Sequence, residues 1–278
     1  MTLLSHNLSR PFKFPSNLKQ PLHHALSASL LDFRSKISDF ISKIEFGPDR
    51  AGLGKCFDLI NTANSAFAKM AAQIDHPMSK WSEKLTERYL SYTLTLLGLL
   101  NSVSSSLSHL NRVKMSNACG CLKKIEKEEV GPSFKPERAM GAEDSPGSDK
   151  DRLLLDGLSV LEKMELLAMG FVLSGLCSDT KAYMKLRSYV GGFEDSLIKE
   201  LDSRFCKEVM GRLDEVKDVN IAVDRLLEVK CIDGVEELKL RLEVLAGFIQ
   251  GIEKQANALF SNVLGVRNKL IDNIRLTG

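Results

Sequence analysis

Apolar residues recur along most of this chain at steps of three and four, the spacing that gathers side chains on one face of an α-helix. Leu22, Leu26, Leu30, Phe33, Ile37, Ile41 and Ile44 form the first stripe. Gly47 and Pro48 end it, and Asp49 is placed to cap the next helix. A second stripe presents Leu53, Phe57, Ile60, Phe67, Met70 and Ile74 and breaks at His76-Pro77. The third is longer: Trp81, Leu85, Tyr89, Tyr92, Leu96, Leu99, Val103, Leu107, Leu110 and Val113. Its mean step is close to 3.6 residues, and it predicts a helix about 50 Å long. Leu90, Leu94, Leu97 and Leu100 widen the apolar surface, so this helix is expected at the centre of a bundle.

The pattern collapses over residues 123–150. Mixed charge gives way to Gly131, Pro132, Pro136, Gly141, Pro146 and Gly147, punctuation that a helix interior does not tolerate. A linker or exposed loop is expected there. Ser148-x-x-Asp151, ahead of three leucines, has capping-box form and opens the second half. Helices are predicted over residues 151–177, 181–216 and 219–230. The second of these carries Leu186, Val190, Phe193, Leu197, Leu201 and Phe205 on one face, with Gly191-Gly192 as a kink or a place of close approach. Asp233-x-x-Glu236 repeats the capping form before the last helix. That helix aligns Val235, Leu238, Leu242, Leu245, Ile249, Ile252, Ala256, Leu259, Val263, Val266, Leu270 and Ile274. Their mean step of about 3.55 lies between an isolated helix and a coiled-coil seam.

No run alternates in the manner of a β-hairpin. The fold expected is all-α: a bundle of long antiparallel amphipathic helices with a flexible central loop. Its parts are a flexible amino-terminal segment (1–17), amino-terminal helices (18–130), the loop (131–149) and carboxyl-terminal helices of the same bundle (150–278).

Composition changes this picture little. The chain has 278 residues, enough for a sizeable core, which must be largely aliphatic because there are only 13 Phe, 4 Tyr and 1 Trp. Thirty-eight basic residues stand against 36 acidic ones, so overall charge gives no case for nucleic acid. The most apolar window, residues 166–177, is too short to span a membrane and reads as a buried core helix. Membrane association is expected to be peripheral at most. The first 31 residues contain no Asp or Glu but several serines and the cations Arg10, Lys13 and Lys19. Such an end suits either a transit peptide or a frayed lead into the first helix. The compartment expected is the cytoplasm, with the chloroplast or a membrane surface as alternatives.

Candidate chemistry is sparse. The six cysteines (Cys56, Cys119, Cys121, Cys177, Cys206 and Cys231) follow no secretory signal and read as reduced and mostly buried. Cys119-Gly120-Cys121 is not the C-x-x-C of zinc sites, and redox sensitivity is the alternative for these two. His6, His23, His24, His76 and His109 show no metal-ligand spacing. The pairs Glu162/Glu165 and Glu236/Glu237 lack the Glu-x-x-His element of di-iron bundles and are expected on solvated helix faces. Gly191-Gly192 lacks the context of a nucleotide loop. Ser102, Ser104, Ser105, Ser106 and Ser108 read as small residues for close helix approach or for solvent, with phosphorylation or a polar helix contact as the other reading. Ser145-Pro146 is the better phosphorylation candidate, in extended chain beside Glu143-Asp144. No catalytic, cofactor-binding or metal residue is assigned, and no enzymatic activity is expected.

Two segments carry more than periodicity. Pro77, Trp81, Glu83-Lys84, Tyr89-Leu90 and the Leu/Ser-rich run ending at Leu110-Asn111-Arg112 resemble a segment of the plant BYPASS family. So does the closing run Phe260, Val263-Leu264, Arg267, Leu270-Ile271 and Asn273-Ile274-Arg275. The similarity extends loosely from about residue 50 to the end, with Leu85 where the family has a second Trp. The resemblance implies a plant regulator of growth, since BYPASS proteins restrain a root-derived mobile signal that arrests shoot development. It also implies exocyst subunits as partners, as in the related Roh-type branch. The leading expectation is therefore a non-enzymatic protein that binds protein partners through helical faces. The alternative is a helical-bundle enzyme or carrier acting on an apolar metabolite.

Overall fold

The computed structural model describes residues 19–47, 50–126, 148–209, 213–229 and 232–277. The expected flexible segments 1–17 and 131–147, with Ser145, lie outside the described residues, as do Pro48 and Asp49. The described residues form eight α-helices and no strand. They are α1 (Lys19–Lys43), α2 (Arg50–Ile74), α3 (Glu83–Ala118), α4 (Asp149–Cys177), α5 (Lys181–Val190), α6 (Ser196–Glu208), α7 (Asp214–Val229) and α8 (Ile232–Thr277). A 3-10 turn, Met78–Lys80, leads into α3.

The local signals explain most boundaries. Ser82 caps α3 by accepting from the Leu85 amide, and Ser148 caps α4 by accepting from Asp151, as the capping form predicts. Trp81 therefore stands just ahead of α3 rather than within it. Asp233 lies inside the first turn of α8, which starts at Ile232, so it is not the cap expected of it.

The helix expected over 181–216 is divided. Gly191 takes φ +71° and ψ −147°, a conformation that side-chain-bearing residues avoid, and it ends α5. Asp195 then caps α6 by accepting from Leu197. The apolar faces of the two short helices both pack on α4. Gly191→Ala is expected to lower stability by about 1–3 kcal/mol, read from the denaturant midpoint, through this conformation alone.

The enclosed element is α4, which packs against α1, α2, α3, α5 and α6. Every residue from Met164 to Cys177 is buried, so the most apolar window of the chain is a core helix. Among the described residues no helix is long and apolar enough to cross a membrane. The α3 helix is central as expected, between α4 and α8. By contrast α8 covers one side of the bundle: Leu245, Ile252 and Leu259 are buried while Val235, Val266 and Ile274 of the same stripe are exposed. Residues of both halves of the chain join a single core.

Directions follow from the contacts. Asn64 meets Glu165, and Leu53 lies against Gly175, so α2 and α4 run antiparallel. Arg267 of α8 donates to the Leu90 carbonyl and to Thr93 Oγ1 (2.9 Å), while Ile249 lies beside Leu107, so α3 and α8 are antiparallel too. The neighbours α3 and α4 run parallel: Arg88 meets Glu162, Tyr92 meets Glu165, and Ser106 meets Cys177. α4 therefore begins at the end of the bundle where α3 begins.

Candidate functional site

Two polar clusters and one exposed surface stand out from this aliphatic frame. The first cluster lies where α2, α3 and α4 meet. Glu165 is only 1% exposed, which corrects the expectation that it shares a solvated face with Glu162. Its Oε1 accepts from Asn64 Nδ2 at 2.6 Å, and its Oε2 lies 2.5 Å from Tyr92 Oη. Tyr92 Oη also lies 3.4 Å from Asn64 Oδ1. Burial pushes the Glu165 carboxyl up to about 8; the hydrogen bonds from Tyr92 and Asn64 oppose this, and Glu162 adds to it. Burial first, then the Glu165 charge, pushes the neighbouring Tyr89 phenol up to about 12.

Asn64 Nδ2 donates to Oε1 and Tyr92 Oη donates to Oε2, with Asn64 Oδ1 as its second, longer acceptor. With Oε2 protonated, the carboxyl would donate to Tyr92 instead, and the Tyr92 hydroxyl would be free to turn to Asn64 Oδ1. The trio thus holds three helices in register through satisfied hydrogen bonds. A signal for it was present in the chain. Leu161, Ala168 and Val172 surround Glu165 at helical spacings, so its face is apolar. Glu162, one turn earlier, also faces α3 but reaches its partly exposed rim, where it pairs with Arg88 at 3.2 Å.

The second cluster joins α5 to α6. Arg187 grips Asp202 with Nε to Oδ1 at 2.7 Å and Nη2 to Oδ2 at 2.9 Å, and Tyr183 Oη donates to Oδ1 at 2.7 Å. Burial works to raise the Asp202 carboxyl, but the hydrogen bonds from Arg187 and Tyr183 outweigh it and hold the group below its usual range. The Arg187 guanidinium sits 4.8 Å from the centre of the Phe193 ring. These contacts brace the turn that Gly191 makes.

The remaining candidates are dispersed. His76 is exposed and His109 half-buried, on different elements, and the side chains of His6, His23 and His24 lie outside the described residues. Among the described residues no group of three or more His, Cys, Asp and Glu side chains is arranged to hold a metal ion. Cys56 and Cys177 are buried, Cys119, Cys121 and Cys206 exposed, and Cys231 lies outside the described residues. Ser106 is buried against Cys177 Sγ at 3.5 Å, where a small residue lets α3 approach α4. Ser102, Ser104 and Ser108 hydrogen-bond to carbonyls one turn back, and Ser105 and Ser108 face solvent. A shallow cleft of about 260 Å³ lies between α3 and α8, lined by Asn111, Lys114, Gln250 and Glu253 among others.

The exposed surface belongs to the hairpin of α7 and α8. Two ion pairs cross it, Arg225 with Glu237 at 2.8 Å and Arg241 with Asp218 at 3.0 Å. Helical spacing puts Ile221 one turn from both Asp218 and Arg225, and Leu240 and Val244 one turn from Glu237 and Arg241. All three apolar residues are exposed, Leu240 by 57%. Leu227 and Val235 are exposed beside the hairpin's turn. The stripe reading missed Ile221, Leu240 and Val244 because they fall outside the periodic core register.

No protein-family model, no curated protein and no solved structure matches the chain.

Proposed function

We propose that this chain is a non-enzymatic regulatory protein that binds protein partners through helical faces. Its exposed hairpin edge supports this reading more than any other feature. Large apolar side chains left in water beside charged pairs suit a polar-rimmed protein interface. Both polar clusters are hydrogen-bonded between helices, the one at Glu165 enclosed, which suits a scaffold role. The BYPASS resemblance supplies the physiology proposed: restraint of a root-derived mobile signal in plant development, with exocyst subunits as candidate partners and the cytoplasm as the compartment.

Proximity labelling in plant tissue, with the tag at the carboxyl end, tests the reading when wild type is compared with the double variant Leu240→Asp/Val244→Asp. Both positions are exposed, so folding should be unaffected. The expected result is a defined set of protein neighbours, exocyst subunits among them, that the variant loses. Identical neighbours for both proteins would remove the hairpin from the proposal. A wild-type set that lacks any exocyst subunit would remove that partner.

A further inference from the structure

Cys119 and Cys121 are both exposed at the carboxyl end of α3. They flank Gly120, whose φ of +82° favours glycine and turns the chain sharply. The turn is held from within: the Gly120 amide donates to the Asn117 carbonyl at 3.0 Å and the Cys121 amide to the Ser116 carbonyl at 3.0 Å. Asn117, itself buried, clamps the chain just beyond, donating from Nδ2 to the Lys123 carbonyl at 2.9 Å and accepting from the Lys123 amide at 2.7 Å. Consecutive Cα atoms are about 3.8 Å apart, so two residues either side of a sharp turn are separated by roughly 5.5 Å, within the span a disulfide bridges. Both side chains are exposed, so the pair is open to a reagent.

We infer that Cys119 and Cys121 form a redox-active dithiol, closed to an intramolecular disulfide by exchange with a small-molecule disulfide of the glutathione class. One thiolate attacks a sulfur of the oxidised reagent, breaking its S–S bond and releasing one reduced thiol. The second cysteine, losing its proton to water, attacks the mixed disulfide and releases the other reduced thiol. Two electrons and two protons leave the protein, and one reagent disulfide becomes two thiols. Exposed Arg112 and Lys123 favour approach of that anionic reagent. A ring this small is strained and exposed, so it reopens readily under reducing conditions, as reversible disulfides do.

The other cysteines serve as internal comparisons. Burial raises the Cys56 thiol well above its usual range, so it stays inert. Cys206 is exposed, but its Sγ faces Asp202 Oδ1 at 3.8 Å and Tyr183 Oη at 3.9 Å rather than a second thiol.

The test equilibrates the full-length protein in buffers of defined reduced-to-oxidised glutathione ratio, quenches by alkylation, and maps peptides by mass spectrometry. The peptide holding Cys119 and Cys121 should lose two hydrogens and resist alkylation at oxidising ratios, and recover on reduction. Cys119→Ser should stop at a glutathione adduct on Cys121. Gly120→Val, which disfavours the turn, should slow ring closure by about tenfold. Persistent alkylation of both thiols at oxidising ratios would overturn the inference. So would glutathione adducts on both without closure, or closure in Gly120→Val as fast as in wild type.

Discussion

Trp81→Ala lowers the stability of the protein by about 3–5 kcal/mol, the cost of emptying a well-packed aromatic site. The indole is 6% exposed and its Nε1 donates to the Asp75 carbonyl at 3.1 Å. It packs edge-on against Phe67 of α2 and Tyr89 of α3, with centroids 6.5 and 5.7 Å away. Alanine would remove the ring from both neighbours and leave a carbonyl short of its donor, so transfer, cavity and hydrogen-bond losses act together. Chemical denaturation followed by circular dichroism measures the loss. Because Trp81 is the sole tryptophan, its fluorescence reports the site directly in the wild type. Ready quenching by a soluble quencher, with an unchanged midpoint in the variant, would move Trp81 from the core to the surface. Leu99→Asp and Leu259→Asp should cost at least as much, since both positions are 1% exposed and would bury an unpaired charge.

Stability should decline as pH rises from about 5 to about 8, and the decline should vanish in Glu165→Gln. The sign follows from the protons bound. The carboxyl is raised from 4.5 to about 8 in the folded protein, so over this window the native state holds a proton that the unfolded chain has released. Its contribution is complete below the unfolded value and is gone once the folded value is passed. At about 1.4 kcal/mol per unit the loss amounts to a few kcal/mol. The glutamine side chain of the variant would keep an acceptor for Asn64 and a donor for Tyr92 but cannot ionise, so the variant resembles wild type at pH 5 and exceeds it at pH 8. Asp195 and Asp202 act in the opposite sense and in a lower window, because their carboxyls are depressed and their stabilisation fades only as pH falls through the acid range. The difference between wild-type and variant midpoints across pH therefore isolates Glu165. Parallel pH profiles for the two proteins would show that the buried carboxyl does not titrate as its surroundings require.

The two predictions draw on different kinds of information. Trp81 heads a stripe that Leu85 and Tyr89 continue, which marks it for burial, although it reaches the core from the 3-10 turn ahead of α3 rather than from the helix face. Periodicity likewise marks Phe33, Ile37 and Ile41 of α1 and Leu53, Phe57 and Ile60 of α2, all of them buried. Ser148 could be named as the cap of α4 because capping is settled within four residues. A helix face and a helix end are local properties, and local properties are written in residue order.

Glu165 shows where that reading stops. Its immediate helical neighbours are apolar, yet whether a carboxylate there meets solvent or a partner depends on Asn64 and Tyr92, 101 and 73 residues away in the chain. The division of 181–216 at Gly191 is similar: Gly191-Gly192 permitted either a kink or a close neighbour, and the packing of both short helices on α4, with Arg187 and Tyr183 bridging to Asp202, decided for a break. The parallel course of α3 and α4 depends on a connection whose composition marks a break but not a destination. The edge formed by Ile221, Leu240 and Val244 exists only because α7 folds onto α8. Helix formation and amphipathicity arise from interactions over three or four residues, so the chain's own order encodes them. Burial of a polar group, the direction of a neighbour and the exposure of an apolar edge arise from which faces meet, and that is settled only when distant helices pack.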